Sequence, residues 1–187
     1  MVGVLRSFDF PIDSYTDDVQ SIAEATIRRF GAREWKLVLL TNEIHGHLGI
    51  YSTLGAKMGL CAEELLGDSE GSLSVLSYAG FRPPVSCLND GLQISTGATL
   101  GHGLIRVSDE KARPEAAFTK DGKTILLRLK KEYRERIEED IREGVSRFGH
   151  SPEYWDHVRS LALRYWSEWD RSAIFEQEQD SAGFCIF

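Results

Sequence analysis

Hydrophobic and polar positions divide the chain into a series of helical and extended segments. Val19, Ile22, Ala23, Ile27 and Phe30 fall on one stripe at helical spacing, and Gly31 follows where a helix C-terminus favours glycine, which predicts a helix over about 14–30. Residues 35–40 are apolar apart from Lys36 and read as a strand buried on both faces. From about 47 to 66 the pattern is helical again. Gly49, Gly55, Ala56 and Gly59 make that helix unusually slim, so another backbone can approach it closely. Residues 72–78 predict a second strand, Phe81-Arg82-Pro83-Pro84 a loop, and 85–96 a short helix with Cys87 near its start. Three further strands are predicted over 104–107, 116–119 and 124–129, the last two joined by the hairpin signal Asp121-Gly122.

Beyond Lys130 the character changes. Residues 130–148 are charge-dense and helical, with Glu132, Arg136, Glu139 and Arg142 of alternating sign. Ser151-Pro152-Glu153 then starts a helix carrying Trp155, Val158, Leu161, Ala162, Tyr165, Trp166 and Trp169. Such an aromatic stripe needs a covering surface: its own domain, a second copy of the chain, or a ligand, with packing or dimerisation favoured. The expected fold class is α+β, a helix-strand-helix unit followed by a mixed β-sheet. The expected organisation is one domain over 1–148 and a C-terminal aromatic helical extension over 149–187.

Composition narrows the function classes. A chain of 187 residues with 42% hydrophobic residues can fill a core without disulfide or metal staples. Its net charge of −7 has the wrong sign for a surface that tracks nucleic acid or anionic lipid. No apolar run approaches the length that spans a bilayer, and the first fifteen residues lack the pattern of a secretory signal, so a cytoplasmic protein with neither nucleic-acid nor membrane partner is expected. Cys61, Cys87 and Cys185 are widely spaced, with no CxxC pair, so their chemistry is that of single thiols. Cys61 reads as core and Cys185 as incidental.

Three constellations carry candidate chemistry. In His45-Gly46-His47 the glycine permits a turn that brings both imidazoles to one metal ion; the competing reading is two exposed or core-satisfied rings. In Ser86-Cys87-Leu88-Asn89-Asp90 a thiol at a helix N-terminus is expected to have a lowered pKa. Asp90, one turn on, is placed to accept a hydrogen bond from a ligating imidazole or to act as an acid/base. Between Ser95 and Gly103, Thr96, Thr99 and His102 stand among glycines as candidate pocket residues. Together His45, His47 and Cys87 form a nitrogen/sulfur set suited to zinc, with iron or nickel as alternatives, and three protein ligands leave a position open for water or a small-molecule ligand. Haem held by His or Cys beside the aromatic residues is a further alternative.

His45-Gly46-His47-Leu48, the small-residue stretch Gly55-Ala56-Lys57-Met58-Gly59, and the segment from Cys87-Leu88-Asn89-Asp90 to Thr96-Gly97-Ala98-Thr99-Leu100-Gly101-His102-Gly103 together resemble the formylmethanofuran dehydrogenase E-subunit family in order and spacing. The resemblance implies an α+β fold, a metal usually taken to be zinc on His45, His47 and Cys87, and commonly a homodimer. This chain departs from the family pattern at Gly49-Ile50, where the family has Cys-Pro, at Ala98, where it has a cysteine, and at His102, where it has a lysine. Where many relatives carry a cysteine-rich zinc-finger module, residues 149–187 are expected to form an aromatic helix with no metal-ligand pattern. The expected function is a metal-binding protein, either an accessory or sensor component or a metal-dependent enzyme with Asp90 as acid/base. The alternative is an interaction or dimerisation module in which these motifs only support the fold.

Overall fold

The structure, a computed structural model, describes residues 10–67, 72–110, 112–149 and 151–179. Helix α1 (Asp17–Phe30) buries Val19, Ala23, Thr26 and Phe30 and stops at Gly31, whose φ of 90° suits glycine. Helix α2 spans Ala32–His45. The expected strand at 35–40 is therefore the middle of a helix. A six-residue apolar run is too short to separate the two periods, and here Glu34, Trp35, Val38, Thr41 and Asn42 are buried at helical spacing. Helix α3 (Ile50–Leu66) follows, buried along nearly its whole length from Ile50 to Ala62.

The sheet comprises β1 (Ser74–Ser77), β2 (Ile105–Val107), β3 (Glu115–Lys120), β4 (Lys123–Leu129) and β5 (Phe175–Gln179), in the order β2-β1-β3-β4-β5. The β1–β2 pair is parallel and the others are antiparallel, so the sheet is mixed and the fold is α+β. Between β1 and β2 the chain makes a 3-10 turn over Val85–Cys87 and helix α4 (Leu88–Thr96). Asp121-Gly122 turns the β3–β4 hairpin with positive φ at both residues, as expected from the sequence.

Helices α5 (Lys131–Phe148) and α6 (Pro152–Glu168) pack beside this unit, and the chain returns through α7 (Arg171–Ile174) to β5. Strand β5 carries little signal in the sequence, because Phe175-Glu176-Gln177-Glu178 has only one apolar residue. Its pairing with β4 is supplemented by ion pairs from Arg128 to Glu176 (3.3 Å) and Glu178 (3.5 Å). The α6 stripe faces the protein's own core. Trp166 stacks on Trp35 at 4.2 Å and Tyr165 on Trp169 at 3.9 Å, and Leu161, Ala162, Tyr165 and Trp166 join the same hydrophobic cluster as α1–α3. Trp155 stays exposed. Cys61 is buried, as expected of a core residue, and Cys185 lies outside the described residues. No described helix is long and apolar enough to cross a membrane.

Two charge clusters fasten α6. Arg159 donates to both Asp18 carboxylate oxygens at 2.6 and 3.0 Å, and this bond holds the Asp18 pKa well below the ordinary carboxylate range. Burial would raise Asp140, but the Tyr165 hydroxyl at 2.5 Å and the guanidinium groups of Arg164 and Arg136 outweigh it and lower its pKa. A depressed folded-state pKa contributes stability that is present above the unfolded value, about 3.9 for Asp, and lost as pH falls through the folded value. Acid is therefore expected to destabilise the protein progressively below about pH 4. The urea midpoint, followed by tryptophan fluorescence, should fall more steeply there in the wild type than in Arg159→Ala, and parallel slopes would contradict this account of Asp18.

Candidate functional site

His45 is the last residue of α2, and Gly46 terminates that helix in the left-handed region at φ 87°. A side chain here would be strained, so glycine is what allows the chain to fold back between the two histidines. Their rings consequently face each other with centroids 4.3 Å apart. The motif thus closes a helix, in place of the expected position after a strand.

Asn42, which sequence reasoning did not single out, organises this turn. Its side-chain oxygen accepts from the Gly49 amide at 2.9 Å and the Ser52 hydroxyl at 2.7 Å. Its nitrogen donates to the Val38 carbonyl at 2.9 Å and the Thr53 hydroxyl at 3.1 Å. One buried amide therefore ties the end of α2 to the start of α3. The available sequence signal was an asparagine inside a helix one turn before its end, on the same face as Trp35 and Val38.

The second half of the site arrives through α4. Glycines let α3 and α4 meet backbone to backbone: a Cβ on Gly55 would lie 2.2 Å from the Leu88 carbonyl oxygen, and one on Gly91 would lie 2.2 Å from the Ser52 carbonyl oxygen. This close approach sets the start of α4, with Cys87 and Asp90, against the turn that carries the histidines. The result is a hydrogen bond from His45 Nδ1 to Asp90 Oδ2 at 2.7 Å across forty-five positions of sequence. The neutral tautomer that donates from Nδ1 leaves a lone pair on Nε2. That Nε2 is buried without a hydrogen-bond partner. A Cβ on Gly49 would sit 3.3 Å from it, so glycine at this position keeps the Nε2 face of the ring clear.

His45, His47 and Cys87 all line one cavity of about 300 Å³, together with Gly49, Tyr51 and Pro84. Desolvation, then the neighbouring His45, lowers the His47 pKa and favours the neutral imidazole, the form that ligates metals. Burial, then the negative charge of Asp90, pushes the Cys87 thiol up from its ordinary value. This corrects the expectation of a helix-activated thiolate. Cys87 occupies the N-cap position of α4 without a side-chain capping bond, and partial burial beside a carboxylate outweighs the helix terminus. Burial also raises the Tyr51 pKa to about 12, so its phenol remains protonated at the cavity wall.

Thr96, Thr99 and His102 are not brought to that cavity. The Thr96 hydroxyl donates to the Leu92 carbonyl at 2.6 Å and accepts from the Ala98 amide at 3.1 Å, closing the end of α4. The Thr99 hydroxyl accepts from the His102 amide at 3.3 Å within a tight turn, and His102 is exposed. Among the described residues no group of three or more His, Cys, Asp or Glu side chains already converges as a metal site.

The family model described as FmdE, molybdenum formylmethanofuran dehydrogenase operon, matches residues 44–176, most of the chain. The chain belongs to the FmdE family. The FmdE match begins one residue before His45 and runs into β5, so it takes in both halves of the site and the C-terminal helices. The chain is 31% identical over 101 residues to a probable S-adenosyl-L-methionine-binding protein of Archaeoglobus fulgidus, a match covering 50% of this chain and 28% of that protein, so it spans less than a third of that relative. A crystal structure of a tungsten formylmethanofuran dehydrogenase FmdE-like protein from Syntrophus aciditrophicus superposes with a TM-score of 0.47 at 18% identity, covering 93% of this chain and 78% of that one.

Proposed function

We propose that the protein binds one zinc-type cation through the imidazoles of His45 and His47 and the thiolate of Cys87, as a metal-associated accessory or sensor protein of the FmdE family. The observation that carries this reading is the His45 ring, nine-tenths buried, with Nδ1 fixed by Asp90 and Nε2 left without a partner. A buried acceptor without a partner costs about 1–3 kcal/mol, and a cation is one group that relieves it. A carboxylate behind the imidazole is the arrangement that orients metal-ligating histidines and raises their basicity, so Asp90 serves here as a positioning residue.

His47 and Cys87 border the same cavity, and their side chains would close about the ion together with His45. Binding would release the Cys87 proton, because a coordinated thiol is deprotonated even where burial has raised its pKa. A cation with three protein ligands keeps a position that can polarise a bound carbonyl or activate water.

Zinc added to metal-free protein is expected to bind at about one equivalent per chain by elemental analysis after gel filtration, with proton release in calorimetry. Asp90→Asn should weaken binding about 10–100-fold, and His45→Ala should weaken it further. Wild-type protein that retains no zinc, or an Asp90→Asn affinity equal to wild type, would refute the assignment.

A further inference from the structure

The cavity that holds the three donors has a second character. None of its lining residues is Asp, Glu, Lys or Arg. Part of its lining comes from the C-terminal helices, with Ile137 and Ile141 from α5 and Trp155 and Val158 from α6, and Pro83 and Pro84 also border it. Trp155 is 61% exposed at the rim, although the rest of the α6 stripe turns inward, and its ring meets Tyr154 edge-on at 5.3 Å. Other cavities in the molecule differ: the one beside α1 includes Glu43 and Arg159, and another is bordered by Arg33, Glu63, Glu64 and Lys120. Away from the His45, His47 and Cys87 end, the lining offers no side chain that compensates the desolvation of a charged group, which favours an uncharged ligand body. Cavities that take small molecules are mostly apolar with a few polar groups at one end, and about 300 Å³ is the lower limit of their range. That space suits one ring with a short substituent.

We propose that this cavity takes a small uncharged-bodied ligand in which a flat apolar ring lies against Ile137, Ile141 and Trp155, while an oxygen or nitrogen head group reaches toward His45, His47 and Cys87. The head-group half rests on the metal reading; the ring half does not. The helices α5 and α6 thereby act as the specificity wall of the site. The buried Nε2 of His45 fixes the polar end, and exposed Trp155 marks the mouth.

Two arms keep the halves separate. In the first, metal-free protein is titrated into 4-fluorobenzyl alcohol and the fluorine signal is followed by NMR. Broadening by the wild type, reduced at least about threefold in Trp155→Ala/Ile141→Ala, is expected from the lost apolar contact. Trp155 is exposed and Ile141 only partly buried, so this variant should fold, which circular dichroism checks. In the second, zinc-loaded protein of known metal content is titrated calorimetrically with benzohydroxamate and acetohydroxamate. The ring-bearing probe should bind about tenfold tighter in the wild type, and the double variant should lose that preference with its zinc content unchanged. Equal affinities on zinc-loaded protein, or an unbroadened fluorine signal, would overturn the ring site while leaving zinc binding standing. Absence of zinc with a broadened fluorine signal would instead sink the metal reading and keep the ring site.

Discussion

Gly91→Ala should lower stability by about 3 kcal/mol, a fall in Tm of about 6–12 °C for a domain of this size. The new Cβ would meet the Ser52 carbonyl oxygen at 2.2 Å, the Ala56 nitrogen at 2.3 Å and the Gly55 carbonyl carbon at 2.6 Å. All three are backbone atoms inside α3, so no side chain can swing aside, and α4 must move away. Alanine is intrinsically the better helix former by about 1 kcal/mol, which is too little to reverse the sign. Because this approach also presents Cys87 and Asp90 to the histidines, the variant should weaken the proposed zinc binding as well as stability. Gly101→Ala is the control. Its Cβ would meet nothing nearer than Thr99 Oγ1 at 4.0 Å, and its stability should stay within about 0.5 kcal/mol of wild type. Equal melting temperatures for the Gly91 and Gly101 variants would contradict the packing account.

Glu34→Gln should cost about 3–5 kcal/mol, measured as a shift in the urea midpoint at neutral pH. Lys57 has no solvent exposure and lies in mid-helix on α3, its Nζ 2.6 Å from Glu34 Oε1, 2.8 Å from the Trp169 carbonyl and 4.1 Å from the centre of the Phe30 ring. Burial lowers its pKa, and the Glu34 charge opposes that fall. The second Glu34 oxygen accepts from Arg171 at 2.7 Å, so this carboxylate joins α2, α3 and α7. Neutralising it removes the carboxylate bonded to the buried ammonium and leaves only the unbonded attraction of Asp170. Glu34→Leu combined with Lys57→Met removes both buried charges and should recover much of the loss, because a well-packed apolar pair replaces an ion pair at little cost. A double variant no more stable than Glu34→Gln would show that Arg171 or the backbone contacts, and not the unpaired ammonium, dominate.

The meeting of His45, His47 and Cys87 at one cavity was legible because these residues sit in short motifs. His45-Gly46-His47 carried its own turn residue, and the three-residue step from Cys87 to Asp90 placed both at one end of a helix. The slim helix was legible for a similar reason: Gly55 and Gly59 had no purpose in a solvent-facing helix and did mark a close approach. What failed lay in competition between effects of similar size. The 35–40 run satisfied two periodicities at once, and only the burial of Glu34 and Asn42 beside Trp35 and Val38 distinguishes them. Cys87 had a helix terminus in its favour and burial against it, and burial cannot be read from neighbours in sequence. Thr96 and Thr99 stand in a glycine-rich stretch whose hydroxyls are used by the turn itself. Asn42 went unnoticed because its partners, Gly49, Ser52 and Thr53, become neighbours only after the chain reverses at Gly46.

Two imidazoles from one turn and a thiolate from another are proposed to converge on a single cation. Cobalt(II) substitution tests it most directly, because a sulfur ligand adds a thiolate-to-metal charge-transfer band in the near ultraviolet and low coordination intensifies the visible transitions. Both features are expected at about one cobalt per chain, with the charge-transfer band absent in Cys87→Ser and the visible intensity reduced in His45→Ala. A cobalt spectrum unchanged by Cys87→Ser, or indistinguishable from that of the aqueous ion, would contradict it.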